Sequence, residues 1–313
     1  MIEKSSKIVV TGGNGFLGST LMDQLRSKGY NPITFSSKEY DLVNKPAADA
    51  MLTRFQPDVV IHLAARVGGI GANKANPGLF AYSNLIMGAN LIESCRETSV
   101  KKLVLAGSIC AYPKNTPVPF EECDLWSGYP DPSNAPYGMA KKMLLVLGQA
   151  YRQQYGLNSI YLLPVNLFGP KDSFDLENSH VIPAMIRKFH EAKIAGQADV
   201  TLWGDGSPTR EFLYAEDCAE AFVAAMEKYD EEDPINIGSG QEISMSHLAN
   251  KIQAVVGHEG RIIWDASKPN GQPRRCLDVS RAKEKLGWQS KTDFSVGLEQ
   301  TYQWFLANQE KVV

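Results

Sequence analysis

A glycine turn set between a short apolar run and an amphipathic stretch constrains this chain more than any other feature. Residues 7–10 form a short β-branched apolar run led by Lys7, TGGNGFLGS follows with Gly12, Gly15 and Gly18 spaced as GxxGxxG, and TLMDQLRSKGY then keeps helical periodicity up to Gly29. Strand, glycine turn and helix in that order make a phosphate cradle. Glycines let the backbone approach a pyrophosphate, and the helix N-terminus supplies unpaired N–H groups and the positive end of its dipole. The same glycines could only pack helix on strand, but the strand before them and the helix after them favour the ligand.

The alternation continues. Strands are expected over 32–35, 59–63, 102–106 and 159–164, with helices from near Pro46, over 79–98 and over 137–155. Apolar strands separated by helices imply a parallel sheet covered on both faces, hence an α/β, doubly wound fold. That domain is expected over 1–170, its sheet completed by a strand near 234–238. Residues 171–313 are expected to form mainly a smaller, discontinuous α/β portion that binds substrate. In it, PKDSFDLENSH reads as a polar loop and helical spacing resumes over 183–195. Between strands, Gly68, Gly69, Gly71, Asn73 and Asn76 read as an irregular loop at a strand end, where ligands bind.

Composition narrows the class. The 313 residues are 43% hydrophobic and 21% charged with a net charge of -3, values of a globular protein that argue against a broad nucleic-acid surface. No apolar run has the length of a membrane span and the first residues lack a signal-peptide pattern, so the expected location is the cytoplasm. Cys95, Cys110, Cys123, Cys218 and Cys276 are scattered without a CxxC pair, which predicts reduced thiols and no metal site. His62, His190, His247 and His258 are read as structural.

Chemistry concentrates between Ala106 and Lys142. Tyr137 and Lys141 lie four apart on an expected helix, one turn apart on one face, so the ammonium can favour a phenolate and make Tyr137 a proton donor and acceptor. Ser108 follows an apolar strand and would sit at its carboxyl end, where open α/β sheets bind ligands. After the second strand, Ser36, Ser37 and Lys38 suit a 2′-phosphate where an acidic residue would select NAD, so NADP is the expected cofactor, with Glu39 nearby as the counter-argument.

The segments TGGNGFLG, HLAARVGGIGAN, GSICAYP, PYGMAKK, PVNLFGP, SHVIPAMIRKFH and WGDGSPTREF resemble the GDP-L-fucose synthase family of extended short-chain dehydrogenases/reductases over nearly the whole chain. The resemblance implies a 3,5-epimerase and NADPH-dependent 4-reductase that converts GDP-4-keto-6-deoxy-D-mannose to GDP-L-fucose. It implies Cys110 and His180 as base and acid on opposite faces of the sugar, with Ser108, Tyr137 and Lys141 completing the catalytic set. Cofactor contacts are implied for Gly12, Gly13, Asn14, Gly15, Phe16, Leu17, Gly18, Ser37, Lys38, Leu63, Ala64, Ala65, Ala106, Gly107, Ser108, Tyr137, Lys141, Pro164, Val165, Asn166, Leu167 and His180. The nucleotide of the substrate is assigned Lys188, Trp203, Arg210, Asn270 and Arg275, although Asn270 stands where the family often has an acidic residue. A homodimer through the two long helices is expected. Plainer readings make Cys110 a small core residue, His180 a partner for a backbone carbonyl and Trp203 core. A related enzyme for a GDP-linked deoxyheptose, a simple 4-epimerase and a non-catalytic dinucleotide sensor are the alternatives.

Overall fold

The β-branched run at the start of the chain becomes β1 (Ile8–Thr11), whose four residues are all buried. The computed structural model describes residues 2–68, 70–176, 179–268 and 270–312, so Gly69, Glu177 and Asn178 of the loops expected above lie outside the described residues. From β1 the chain runs through α1 (Phe16–Ser27), β2 (Pro32–Ile33), α2 (Lys45–Phe55), β3 (Val59–His62), α3 (Ile70–Ala75), α4 (Pro77–Glu97) and β4 (Lys102–Ala106). It continues through α5 (Ala135–Tyr155), β5 (Ser159–Pro164), β6 (Asn166–Phe168), α6 (Val181–Ile194), β7 (Asp199–Trp203), β8 (Thr209–Tyr214), α7 (Ala215–Lys228) and β9 (Ile235–Ile237). Last come β10 (Glu242–Ser244), α8 (Met245–Val256), β11 (Arg261–Asp265), α9 (Ser280–Leu286) and α10 (Phe294–Val312).

Six strands form a parallel sheet in the order β2-β1-β3-β4-β5-β9. Right-handed crossovers that run left from β1 to β2 and right from β3 to β4 must place their helices on opposite faces. Accordingly α1 packs with α7, and α7 with α9, while α2 packs with α4 and α4 with α5. With helices on both sides the strands are mainly apolar, and Val9, Val60 and Val104 are fully buried. Each such side chain contributes about 1.5–3 kcal/mol of burial. The direction of strand order reverses between β1 and β3, which opens a crevice at the carboxyl ends of the strands.

A second core is built from α6, α8 and α10 around Phe168, Phe174, Ile186, Phe189, Leu248 and Phe305. Beside it stand a three-stranded sheet in the order β10-β8-β6 and the parallel pair β7 and β11. No helix among the described residues is long and apolar enough to cross a membrane.

Three local expectations need correction. The strand expected over 32–35 stops at Ile33, because the Glu39 carboxylate accepts from the Ser36 N–H (2.8 Å) and hydroxyl (2.9 Å) and turns the chain there. The segment from Gly68 to Asn76 is not wholly irregular. Residues 70–75 close a short helix, with the Asn73 amide donating to the Gly68 carbonyl at 2.8 Å and the Asn76 N–H to Ala72 O at 3.0 Å. Helix α6 starts at Val181 rather than at Pro183, since a proline in the first turn lacks only an N–H that has no intrahelical partner there.

Candidate active site

A cavity of about 1250 Å³ occupies the crevice and extends between the two cores. At one end lies the glycine turn. Gly12 has φ +73°, and a Cβ there would stand 2.6 Å from Ala64 N, so no other residue fits. Gly18 has no room either, since its Cβ would lie 2.0 Å from the Gly12 carbonyl oxygen. Gly15 caps α1 without a side chain, and the first turn holds no acidic residue, which leaves the amides for an external anion. These features make the turn fit a dinucleotide pyrophosphate. Asn14, Gly15, Phe16, Leu17, Ser37, Leu63, Ala64, Ala65, Ala106, Gly107 and the run Pro164, Val165, Asn166 and Leu167 also line the cavity. Gly13 and Lys38 do not. Gly13 is buried, its space limited by Thr34 Oγ1 at 2.4 Å from a built Cβ, and Lys38 is exposed outside the lining.

Ser108, Cys110, Tyr137, Lys141 and His180 all face this cavity. Ser108 lies two residues past the end of β4 and caps the one-turn helix Ile109–Ala111, its Oγ accepting from Cys110 N at 3.2 Å. That turn is pressed against α5, where a Cβ on Gly138 would stand 2.2 Å from Cys110 O. The close approach lets the Asn134 amide donate to Cys110 Sγ at 3.3 Å, which fixes the sulfur at the cavity wall. Tyr137 is enclosed by protein except where it meets the cavity. Burial first, and the Cys110 thiol second, push its phenol up, while the Ser108 hydroxyl acts the other way. The expected lowering of Tyr137 by Lys141 therefore does not prevail in this structure. Lys141 is itself buried, donates to Ala106 O at 3.0 Å and is pushed down to about 8 by desolvation.

His180 is the N-cap of α6, and its Nδ1 lies 3.5 Å from Oδ1 of the buried Asp172. The hydrogen bond to Asp172 is the largest influence on the ring and raises its proton affinity above the usual histidine value against the opposing effect of burial.

At the far end Lys188, Trp203, Arg210, Asn270 and Arg275 line the cavity. Trp203 is 66% exposed and does not belong to either core. Burial, and then the neighbouring Arg275, lower Arg210 to about 10, so two guanidinium groups are held close together. Such a pair is unfavourable by itself and suits an anionic ligand. Arg275 also donates to Ile109 O at 3.0 Å, which ties this end to the Cys110 turn. Asn270 accepts from Asp205 N at 3.0 Å and braces the adjoining loop.

Other residues that shape the site carry no sequence signal of their own. Asp172, Asn134 and Gly138 belong to them, as does the buried Asn84, whose side chain accepts from Arg66 N (3.0 Å) and donates to Arg66 O (2.9 Å), clamping the loop after Ala65 to α4. Among the other histidines, His62 is buried against Thr11 Oγ1 at 2.8 Å and pushed down to about 3, His190 meets the Tyr302 hydroxyl, and His258 meets Gln197 O. All five cysteines are free thiols. Among the described residues no group of three or more His, Cys, Asp or Glu could hold a metal ion.

Residues 8–238 match the NAD dependent epimerase/dehydratase family. The chain is 44% identical over 302 residues to a GDP-L-fucose synthase of Sinorhizobium fredii, covering 96% of each. Its fold is similar to that of a GDP-L-fucose synthetase from Naegleria fowleri bound to NADP, with a TM-score of 0.91 and 30% identity over 100% of this chain and 97% of that one. A GDP-6-OMe-4-keto-L-xylo-heptose reductase from C. jejuni is similar as well, with a TM-score of 0.93 and 29% identity over 98% and 99% of the two chains.

Proposed function

The chain belongs to the NAD dependent epimerase/dehydratase family and, within it, to the GDP-L-fucose synthases, and on that premise we propose how its residues divide the work. It is an enzyme that converts GDP-4-keto-6-deoxy-D-mannose to GDP-L-fucose, inverting C3 and C5 and reducing C4. One observation carries the division of labour. Cys110 and His180, each with a polar partner suited to its role, open on the cavity that also holds Ser108, Tyr137 and Lys141.

The 4-keto group acidifies the hydrogens at C3 and C5. Cys110, its sulfur held by the Asn134 N–H, takes the proton from one face, and His180 returns one to the other. After each inversion both groups exchange protons with solvent before the second carbon reacts. The Ser108 oxygen accepts from Cys110 N, and its hydroxyl, shared with Tyr137, steadies negative charge on the C4 oxygen. The cofactor, when bound, supplies hydride to C4. Tyr137 gives the proton to the C4 oxygen, and Lys141, one turn along α5 and open on the same cavity, restrains the charge left on the phenol.

The cofactor we propose is NADP, held by the Gly12, Gly15 and Gly18 turn with Ser37 at its 2′-phosphate. The support is that Ser37 lines the cavity while the Glu39 carboxylate is occupied by Ser36. Arg210 and Arg275 would take the diphosphate of the substrate and Trp203 its base. We also propose a homodimer through α4 and α5, which lie side by side and expose Leu79, Tyr82, Met143 and Val146. A monomer in sedimentation at micromolar concentration would sink that.

The reading is tested by proton NMR of the product formed from GDP-4-keto-6-deoxy-D-mannose and NADPH in deuterated water. GDP-L-fucose carrying deuterium at C3 and C5 is expected. A reduced but unlabelled sugar would remove the roles of Cys110 and His180. Turnover of a GDP-linked keto-heptose in preference to the hexose would favour the heptose alternative.

A further inference from the structure

The loop between β6 and α6 supplies a buried acid that the reaction as described does not use. Asp172 exposes 4% of its side chain, accepts from Ser173 N at 2.8 Å through Oδ1, and has that same oxygen 3.5 Å from His180 Nδ1. Its Oδ2 is buried with no hydrogen-bond partner among the described residues. A carboxylate in that condition is costly to bury, and its cationic neighbours turn elsewhere. Lys171 pairs with Asp23 at 2.7 Å, and Arg187 on α6 pairs with Glu191 at 2.7 Å. Lys188, Lys141, Cys110 and Tyr137 open on the same cavity, but Asp172 is the charged group in contact with the His180 ring. The position of His180 adds to the argument. As the N-cap of α6 it faces the positive end of a helix dipole, which disfavours an imidazolium unless a negative group offsets it.

We propose that Asp172 is a positioning residue for the epimerisation, fixing the His180 ring through Nδ1–H so that the proton on Nε2 faces the substrate. The inference rests on the reading of His180 as the proton donor. It assigns the neutral ring, after Nε2 has given its proton, to the Nδ1–H tautomer. It also makes His180 a ready donor at neutral pH, in agreement with the raised proton affinity that the Asp172 contact produces.

The experiment uses full-length protein with ¹⁵N-labelled histidine, titrated by NMR, together with the pH profile of deuterium incorporation at C3 and C5. In the wild type, His180 should titrate above an ordinary histidine and show the Nδ1–H tautomer when neutral. Asp172→Asn keeps the acceptor for Ser173 N and should lower the midpoint by about one unit. The limb of the exchange profile that falls with rising pH should move down equally, leaving exchange about tenfold slower above it. A wild-type His180 that titrates normally or as the Nε2–H tautomer overturns the proposal without needing any variant. An unshifted midpoint in Asp172→Asn overturns the role of Asp172 alone. Inversion that persists at both carbons in His180→Gln overturns the donor reading and, with it, the role, whereas exchange without inversion is what loss of the donor alone would leave.

Discussion

Gly138→Ala puts two rules in opposition. In a helix interior alanine is favoured over glycine by about 1 kcal/mol, so α5 alone would become more stable. Its built Cβ, however, would stand 2.2 Å from the Cys110 carbonyl oxygen and 2.9 Å from its carbon. A carbon and a carbonyl oxygen rest about 3.3–3.6 Å apart, so the two elements must separate by about 1 Å. The obstruction is backbone of the turn Ile109–Ala111 and has no rotamer to change. Overpacking of this kind costs about 1–3 kcal/mol, enough to cancel or exceed the helical gain. The larger effect falls on the site, since Ser108 and Cys110 ride on the turn and Tyr137 on the helix. A displacement near 1 Å costs about 100-fold in rate. Turnover and deuterium incorporation at C3 and C5 should fall together by roughly that factor, with a urea midpoint unchanged or lower. Gly78→Ala is the control, because a Cβ there meets nothing within 4 Å, and its midpoint should hold or rise. A Gly138→Ala enzyme with wild-type rates and a raised midpoint would refute the reasoning.

Four further outcomes are expected. Tyr137→Phe should slow C4 reduction by roughly 10²–10⁴-fold while deuterium still enters at C3 and C5, and loss of both together would count against separate proton donors. Lys141 is held at about 8 against 10.5 unfolded, so below pH 8 the folded chain bears the full cost of burying its charge, a cost relieved as pH rises from 8 toward 10.5. Lys141→Met should accordingly be more stable at pH 7 by about 1–3 kcal/mol in urea unfolding, yet unable to reduce; a lower midpoint contradicts this. Asn84→Ala leaves the Arg66 amide and carbonyl without their buried partner and should cost about 1–3 kcal/mol and raise KM for the cofactor, both measurable on one preparation. Ser37→Asp should shift the ratio of kcat/KM for NADPH over NADH downward by about tenfold or more, and an unchanged ratio would remove Ser37 from the 2′-phosphate.

Legibility in the chain followed the range of the physics. Strand, glycine turn and helix around Gly12 are set by neighbours within a few residues, and the strands Lys102–Ala106 and Ser159–Pro164 have the bounds expected from their apolar runs. The turn after β2 was missed because it depends on the Glu39 side chain reaching back to Ser36, a contact that composition does not announce. Trp203 had no decisive local signal, and its exposure reflects where the parallel pair β7 and β11 comes to lie against the cavity.

The sequence by itself determined the doubly wound sheet and the residue types of the candidate site, since hydrophobic period and glycine spacing act locally and repeat along the chain. Only the tertiary structure decided which of those groups meet and in what electrostatic surroundings. It set Asn134 on the Cys110 sulfur, Arg210 beside Arg275, and Asp172 on His180. It also reversed one expectation at the centre. Lys141 was expected to lower Tyr137, but desolvation raises the phenol and lowers the lysine, because the cost of burying a charge depends on how much protein surrounds it and not on a spacing of four residues.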